Sequence, residues 1–161
     1  MLVESQYFKG YLMGALEETP ALFARLLDGI ADEQADRRPD PDRFTIREVM
    51  AHLADWEPVL QERLRMTRDE DQPTLEVVDP AKRAIEHDYA HSDVREQLQL
   101  FAERRAATSA IVRNFTLEQW ERKAIRPNIG AMTMESIVAL IPLHDMYHLR
   151  QVAEWLSLTA C

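Results

Sequence analysis

The sequence predicts an all-α fold, a four-helix bundle, from three observations. Apolar residues recur with the helical period of about 3.6 residues in several long stretches, and strand-like alternation is missing. Segments rich in proline, aspartate and asparagine separate these stretches and are typical of loops. The length of 161 residues suits one core, and neither a repeat nor a linker divides the chain, so we expect a single domain over residues 1–161.

The first helix is expected over about residues 4–30. Thr19 followed by Pro20 has the pattern of a helix N-cap and a first helical residue, so it predicts a break or kink within this stretch. The following segment, residues 36–42, contains two prolines and several turn-forming residues, which predicts a loop.

The second helix is expected to begin at Thr45, because Thr45 and Glu48 have the spacing of a capping box. Its apolar pattern fades after Arg68. Pro58 lies inside this helix, where it removes a backbone donor and is expected to cause a kink. Residues 69–79 contain a proline and many acids and are predicted to form a surface loop.

The third long helix is expected over about residues 94–115, after a short helix over residues 80–89. Asp93 and Glu96 form a second capping-box pattern at its start. Arg105 interrupts its apolar stripe, so the pattern does not predict how the middle of this helix packs.

The last helix is expected over about residues 133–156, after a one-turn connector at residues 116–120 and a loop at residues 127–130. Pro142 lies inside it, where a kink is expected. Four long helices with connections of moderate length favour an antiparallel bundle. Chain order alone leaves an up-down-up-down and a crossed topology open.

Two histidines lie in the middle of the apolar face of the last helix. That face consists of Ile137, Ile141, His144, His148, Val152 and Trp155. The spacing of four puts the Cβ atoms of His144 and His148 about 6 Å apart, so both imidazoles can bind one divalent metal ion. Imidazole suits Zn²⁺, Ni²⁺, Fe²⁺ or Cu²⁺. The alternative is a pair of core histidines that hydrogen-bond to carbonyls or to an acid such as Asp55.

A third histidine strengthens the prediction of a metal site. His52 lies on the second helix, shares a face with Val49 and Trp56, and can complete a three-His site. The alternative is a boundary histidine with one edge in water. Three protein ligands leave at least one metal position open for a substrate or for water.

Two further residues are candidates for a catalytic role. Asp55 follows His52 by three residues and faces the same way, so it could orient a ligand or act as a base. Gln151 follows His148 by three residues and could form a hydrogen bond near the site. Packing or a surface position also explains both residues. Glu57 lies about 140° around the helix from His52, so it is not expected to bind the metal.

A second histidine pair has the same spacing in a different setting. His87 and His91 are surrounded by polar residues, and His91 adjoins the predicted start of the next helix. We therefore expect a solvated segment rather than a metal site at this pair.

The composition excludes several classes of function. The net charge of −9 disfavours binding to nucleic acids, because an acidic chain repels phosphate groups. No apolar run is long enough to cross a bilayer, and the N-terminus lacks the features of a signal peptide. Cys161, the only cysteine, cannot form an internal disulfide and is interpreted as incidental. We expect a cytoplasmic protein that acts without a membrane or a nucleic acid.

Two segments resemble the signatures of a known family, the DinB/YfiT-like superfamily. Residues 43–57, RFTIREVMAHLADWE, resemble its second-helix signature, and residues 144–151, HDMYHLRQ, resemble its last-helix signature HxxxHxxQ. The similarity extends over most of the chain. The resemblance implies a four-helix bundle, often dimeric, with a three-His metal site whose ligands match His52, His144 and His148. On this basis we expect the antiparallel bundle to include a crossover connection.

The resemblance also implies a range of functions. The family includes thiol-dependent transferases, thiol-dependent isomerases and the iron domain of sulfoxide synthases. Those synthases have a glutamate two residues after the second histidine, where this chain has Arg150, so their chemistry is not expected here. We expect a metal-dependent enzyme, a thiol S-transferase or a hydrolase, that uses Zn, Ni or Fe. A low-molecular-weight thiol as cosubstrate, a small-molecule substrate and a homodimer complete the expectation.

Two alternatives to an enzyme stay open at this point. One is a metal-binding dimeric bundle that acts as a sensor or scaffold without catalysis. The other is a bundle whose histidines have only a structural role. An open metal position lined by a pocket favours the enzyme, whereas a fourth protein ligand favours the sensor or scaffold.

Overall fold

Four long helices dominate the computed structural model, which describes residues 2–158. They are α1 (Gln6–Leu26), α3 (Ile46–Asp69), α5 (Val94–Arg113) and α7 (Met134–Ser157). The shorter elements are α2 (Asp32–Asp36), α4 (Pro80–Glu86), α6 (Leu117–Glu121) and the strands β1 (Lys123–Arg126) and β2 (Gly130–Thr133). The predicted four-helix bundle is confirmed. Cys161 lies outside the described residues, and the single domain over residues 1–161 stays a prediction.

The four long helices are not arranged around the bundle in chain order. Both α1 and α3 pack against α5 and α7, which places α1 and α3 at diagonally opposite corners. One apolar cluster joins Phe23 and Trp155, late in α1 and α7, to Ile46 and Val94, early in α3 and α5. Helices α1 and α7 are therefore parallel to each other and antiparallel to α3 and α5.

This arrangement requires the crossover that was expected. Helix α3 ends at the opposite end of the bundle from the start of α5, because the two helices are parallel neighbours. Residues 70–93 form the crossover connection between the two ends of the bundle and contain α4 and a single 3-10 turn, Tyr89–His91. Of the four neighbouring pairs of long helices, two are antiparallel and two are parallel.

The capping residues begin the helices at the predicted positions. The Thr45 hydroxyl accepts from the backbone N–H of Glu48 at 3.2 Å, and the Glu48 carboxylate accepts from the backbone N–H of Thr45 at 2.8 Å. Asp93 accepts from the backbone N–H of Glu96 at 2.9 Å. Thr45 thus fixes the residue at which α3, the helix that contains His52, begins.

No break occurs at Thr19 and Pro20, because α1 continues through both residues, and a kink at this position stays a prediction. Pro20 has no N–H to donate to the carbonyl of Leu16. The guanidinium of Arg105 donates to that carbonyl instead, at 3.2 Å. A neighbouring helix therefore satisfies the backbone acceptor that the proline leaves free.

The same compensation occurs at Pro58, which α3 also passes without ending. Pro58 leaves the carbonyl of Ala54 without its helical donor, and Arg104 donates to it at 2.8 Å. Helix α7 likewise continues through Pro142. Arg104 and Arg105 lie next to each other on α5, so one turn of α5 supports the prolines of α1 and α3.

A β-hairpin between α6 and α7 was not predicted. Strands β1 and β2 pair antiparallel, with Arg126 opposite Gly130. The turn uses left-handed backbone at Asn128 and Gly130, with φ of 68° and 101°. The backbone of Ile125 also bonds to the loop after α3, accepting from the N–H of Leu75 at 2.8 Å. The hairpin therefore ties this loop to the start of α7.

Arg105, the residue that interrupts the apolar stripe of α5, is fully buried at the centre of the bundle. It donates to Glu57 of α3 at 2.6 Å and to Asp145 of α7 at 3.1 Å. Burial raises the pKa of both carboxyl groups, and the guanidinium opposes that rise. The ion network joins α3, α5 and α7 one residue away from His144. Among residues 2–158, no helix has the length and apolar character to cross a membrane.

Candidate metal centre

Three histidines converge between the antiparallel neighbours α3 and α7. The Nε2 atom of His144 lies 3.1 Å from Nε2 of His52 and 3.2 Å from Nε2 of His148. His52 and His148 are buried, and His144 is half-buried. The three residues that the sequence selected as candidate ligands are thus brought together at one point.

The geometry of these nitrogens fits a shared divalent ion. One nitrogen from each of the three rings lies within 4.8 Å of the other two. Histidine nitrogens bind zinc at about 2.0–2.1 Å, so two ligands of one ion lie about 2.8–3.4 Å apart for bond angles between about 90° and 109°. The observed separations of 3.1 and 3.2 Å fall in that range. The donor set, three imidazoles, suits Zn²⁺, Ni²⁺ or Fe²⁺.

The electrostatic setting keeps the three rings neutral. Burial lowers the pKa of His52 to about 2, of His148 to about 3 and of His144 to about 4. The neighbouring histidines contribute to this lowering for His52 and His148, and Arg105 contributes to it for His144. Metal binding requires the neutral imidazole, so no proton has to leave these rings at neutral pH.

Gln151 orients one of the candidate ligands. Its side-chain oxygen lies 3.3 Å from Nδ1 of His148, and its side-chain nitrogen donates to the carbonyl of Phe44 at 2.7 Å. The first contact holds a proton on Nδ1 and leaves the lone pair of Nε2 free to point at the shared centre. Gln151 was a candidate for catalysis on the sequence, and the structure places it against Nδ1 of His148 and in the lining of the cavity next to the histidines.

Nδ1 of His52 has a different environment. It is buried and has no hydrogen-bond partner within residues 2–158. The ring of His52 is packed between aromatic rings, with the centroid of Trp56 at 5.0 Å and that of Phe44 at 5.4 Å. The orientation of His52 therefore depends on packing, whereas that of His148 depends on a hydrogen bond.

Asp55 lies outside the histidine cluster. Its carboxylate accepts from Arg83 at 3.0 Å, from Tyr89 at 2.6 Å and lies 2.9 Å from Nδ1 of His87. These contacts tie α3 to the crossover segment. The structure therefore brings Asp55 together with His87 rather than with the candidate ligands. Glu57 is also directed away from the histidine cluster, as its position on the helix predicted.

A cavity of about 690 Å³ opens onto the three imidazoles. Its volume is in the range of pockets that hold small molecules. The walls are mainly apolar and include Phe44, Trp56, Leu60, Leu75, Ile137 and Ile141. Four charged residues also line it: Asp42, Arg43, Arg63 and Arg126. Within residues 2–158, no fourth His, Cys, Asp or Glu joins the three histidines, and the cavity borders the open side of the cluster.

A family profile, the DinB superfamily, matches residues 15–152 of the chain. The chain belongs to the DinB superfamily. The matched segment contains all three candidate ligands, and it confirms the resemblance drawn from the two motifs.

Two curated proteins are similar to this chain along most of their length. "Putative metal-dependent hydrolase YfiT" of Bacillus subtilis is 26% identical over 140 residues, which cover 86% of this chain and 79% of that protein. A protein of Oceanobacillus iheyensis with the same metal-dependent hydrolase designation is 23% identical over 137 residues, which cover 85% and 79%. Both designations support a metal-dependent function for the group.

A solved structure has the same fold. It is described as "YfiT from Bacillus subtilis is a probable metal-dependent hydrolase with an unusual four-helix bundle topology". The TM-score is 0.87 at 25% sequence identity, and the match covers 94% of this chain and 87% of that one. The mixed parallel and antiparallel packing derived above for this DinB-superfamily chain is thus shared with a known bundle.

Sequence reasoning missed the cavity arginines of this DinB-superfamily chain. Arg63 follows His52 by eleven residues, which is about three helical turns, so both lie on the same face of α3. That spacing could have indicated Arg63. No sequence pattern indicated Arg126. It reaches the cavity through the β-hairpin, and the strands of that hairpin are too short to be recognised in the sequence.

Proposed function

We propose that this chain is a metal-dependent enzyme in which His52, His144 and His148 hold one divalent ion, and that it transfers a thiol to a small molecule. The observation that carries the proposal is the convergence of three neutral imidazole nitrogens on the floor of a 690 Å³ cavity. A low-molecular-weight thiol is the proposed cosubstrate, and Zn, Ni or Fe is the proposed metal.

The residues of the chain have separate tasks in this proposal. A bound divalent ion supplies a Lewis acid that lowers the pKa of a thiol or a water in its open position. Gln151 and the packing around His52 hold the ligand nitrogens in place, and the apolar walls keep water from the reacting sulfur. The sulfur forms a bond to an electrophilic carbon, the leaving group departs with the bonding electrons, and the thiol proton passes to solvent.

Thiol transfer suits this site because free carboxylates are scarce next to the histidines. Asp55 is occupied by Arg83, Tyr89 and His87, and the buried pair Glu57 and Asp145 is occupied by Arg105. A divalent ion held here would lower the pKa of a thiol, so thiol transfer would need no separate base, whereas hydrolysis commonly uses a positioned acid to protonate the leaving group.

Hydrolysis is the second candidate function, and the designations of the two curated relatives favour it. The same open position that accepts a thiolate accepts water. A role as a sensor or scaffold is less well supported, because a sensor with a closed site needs no cavity of this size next to its metal.

The homodimer and the cytoplasmic location stay predictions. Several large apolar side chains of α1 and α7 are exposed, including Tyr7, Tyr11, Leu143 and Met146. Such surface is typical of a contact between protein chains. Light scattering at micromolar concentration tests the dimer, and a monomeric mass contradicts it.

Metal analysis of tag-free protein purified without chelators is the first test of the proposed function. We expect about one ion per chain. The cobalt-loaded protein should then develop a near-ultraviolet thiolate band when a small thiol is added, and should consume an alkyl halide only when that thiol is present.

Matched variants complete this test. His148→Ala should lose the metal, the band and the thiol transfer, and His87→Ala should keep all three. Hydrolysis of esters or amides by the loaded protein without thiol consumption selects the hydrolase instead. Metal binding without either reaction or thiolate band contradicts the enzymatic proposal.

A further inference from the structure

Two arginines enter the cavity from different elements. Arg63 is on α3, Arg126 is at the end of β1, and both side chains are half-buried. They lie far apart in the sequence, and the hairpin brings Arg126 to the cavity that Arg63 also lines. The proposed function above gives neither residue a task.

The pairing of these arginines differs from that of other arginines in the chain. Arg43, also in the cavity wall, has Glu154 as an ion partner at 3.1 Å. Arg63 donates to the backbone carbonyl of Glu76 at 3.0 Å, a neutral acceptor, and the Glu76 side chain is exposed. Neither Arg63 nor Arg126 lies within ion-pair distance of a carboxylate anywhere in residues 2–158.

The two unpaired charges also repel each other. Burial lowers the pKa of Arg63, the positive charge of Arg126 lowers it further, and the carboxylate of Glu76 opposes the change. Arginine is nonetheless protonated under all physiological conditions. The cavity wall contains three arginines and one acid, Asp42, which is exposed. The wall therefore carries more positive than negative charge.

A single indole ring separates Arg63 from the histidine cluster. The guanidinium carbon of Arg63 lies 5.7 Å from the ring centre of Trp56, which lies 5.0 Å from the ring centre of His52. The Arg63 side chain thus extends toward the start of α3, the usual direction for a helical side chain. A molecule in the cavity can therefore reach both the arginines and the open side of the histidine cluster.

We propose that Arg63 and Arg126 form an oxyanion-binding subsite, and that the substrate or cosubstrate of this cavity carries a carboxylate or a phosphate. The inference rests on the proposed function for the identity of the site, because it places the anionic end against the arginines and the reacting end at the histidines. Guanidinium groups bind both oxyanions through paired hydrogen bonds. The bound anion also removes the repulsion between the two arginines.

Calorimetric titration of the metal-loaded protein tests this subsite, with succinate, inorganic phosphate and the neutral analogue succinamide as probes. We expect the protein to bind one or both anions at least about tenfold more tightly than succinamide, because charged hydrogen bonds to arginine contribute more than neutral ones. The stronger of the two anions identifies the carboxylate or the phosphate as the preferred group. Equal binding of all three probes overturns the proposal.

Variants assign the preference to the arginines rather than to the metal. Arg126→Gln should lose the preference for the anion, and so should Arg63→Gln, whereas Arg63→Lys should retain part of it. Arg65→Gln is the matched control, because Arg65 is an exposed arginine on the same helix that pairs with Glu62. A preference that persists in the Arg63→Gln, Arg126→Gln double variant belongs to the metal and overturns the proposal.

Thermal stability separates a binding role from a structural one. Arg126→Gln removes an unpaired charge, so the melting temperature without ligand should stay the same or rise. A clear fall in that temperature indicates a structural arginine and overturns the proposal. Metal content measured on the same variants keeps the two proposals distinct. The arginine variants should retain the ion. A wild-type protein that binds no metal would contradict the proposed function and not the subsite.

Discussion

The two HxxxH pairs have the same spacing and opposite environments. His144 and His148 lie on the inner face of α7, where the side chain of His144 is 32% exposed and His148 as a whole residue is 5% exposed. His87 and His91 lie at and beyond the end of α4, and their side chains are 42% and 81% exposed. His87 contacts Asp55 at 2.9 Å and His91 contacts Asp88 at 2.6 Å. The inner pair thus faces a third histidine, with the carboxylate of Asp145 no nearer than 4.0 Å to Nδ1 of His144, whereas each histidine of the outer pair contacts a carboxylate directly.

The difference shows that spacing selects possible ligands and that burial decides their chemistry. A buried imidazole without a carboxylate partner stays neutral and offers a lone pair. The exposed imidazole of His91, next to Asp88, gains affinity for a proton instead. Accordingly, the hydrogen bond with Asp88 raises the pKa of His91, whereas burial lowers the pKa of His148 to about 3.

The largest expected effect on stability concerns the ion pairs that lie near each of the two histidine pairs. Arg105→Met leaves Glu57 and Asp145 buried without their counter-ion, so the free energy of unfolding should fall by about 3–5 kcal/mol. Arg83→Met removes the partially exposed ion partner of Asp55, near the outer pair, and should cost about 1 kcal/mol. Urea denaturation measures both values. Similar losses for the two variants would show that the buried network has no special role.

The second effect is the pH dependence of the metal-free protein. His52, His144 and His148 have pKa values lowered from the ordinary 6.5, so the unfolded chain takes up protons on acidification while the folded chain does not. Stability therefore falls as the pH drops through 6.5, by about 2 kcal/mol between pH 7 and pH 6 for three groups. The raised pKa of His91 acts in the opposite direction.

Denaturation in a chelator at pH 7 and pH 6 measures this dependence. His91→Ala is the control and should leave the loss on acidification in place. Unchanged or higher stability at pH 6 would contradict the neutral, buried state of the three histidines.

The smallest expected effect is on metal affinity, and it distinguishes Gln151 from Asp55, the two polar residues that the sequence selected as candidates. Gln151→Ala should weaken metal binding about tenfold, because the Nδ1 proton of His148 loses its acceptor. Asp55→Asn should leave metal affinity unchanged within about twofold, because Asp55 bonds to Arg83, Tyr89 and His87. Competition with a chromogenic chelator measures both. A larger loss for Asp55→Asn than for Gln151→Ala would reverse the two assignments.

Features encoded within one helix were predictable from the sequence. The capping residues at Thr45 and Asp93 gave the starts of α3 and α5, because the bonds they form span only two or three residues. The periodic face of α7 gave the orientation of His144 and His148. The two motifs then gave the partner helix, since their order is typical of the family.

Features that depend on contacts between distant elements were not predictable. Pro20 predicts a break only if its freed acceptor stays unsatisfied, and the Arg105 that satisfies it is far away in the sequence. The same distance concealed the role of Arg105 itself, whose partners belong to α3 and α7. The strands of the hairpin are four residues long, too short to show a period, so Arg126 and its wall of the cavity were missed.

The metal-induced shift in melting temperature tests the central claim most directly. Metal at about a hundred times its dissociation constant stabilises the folded chain by roughly 2.7 kcal/mol, which raises the melting temperature by roughly 5–11 °C. His148→Ala should lose most of this shift, and the His87→Ala, His91→Ala double variant should retain it, with circular dichroism to show that both are folded. A full shift in His148→Ala, or its loss in the double variant, would contradict the assignment of the metal to His52, His144 and His148.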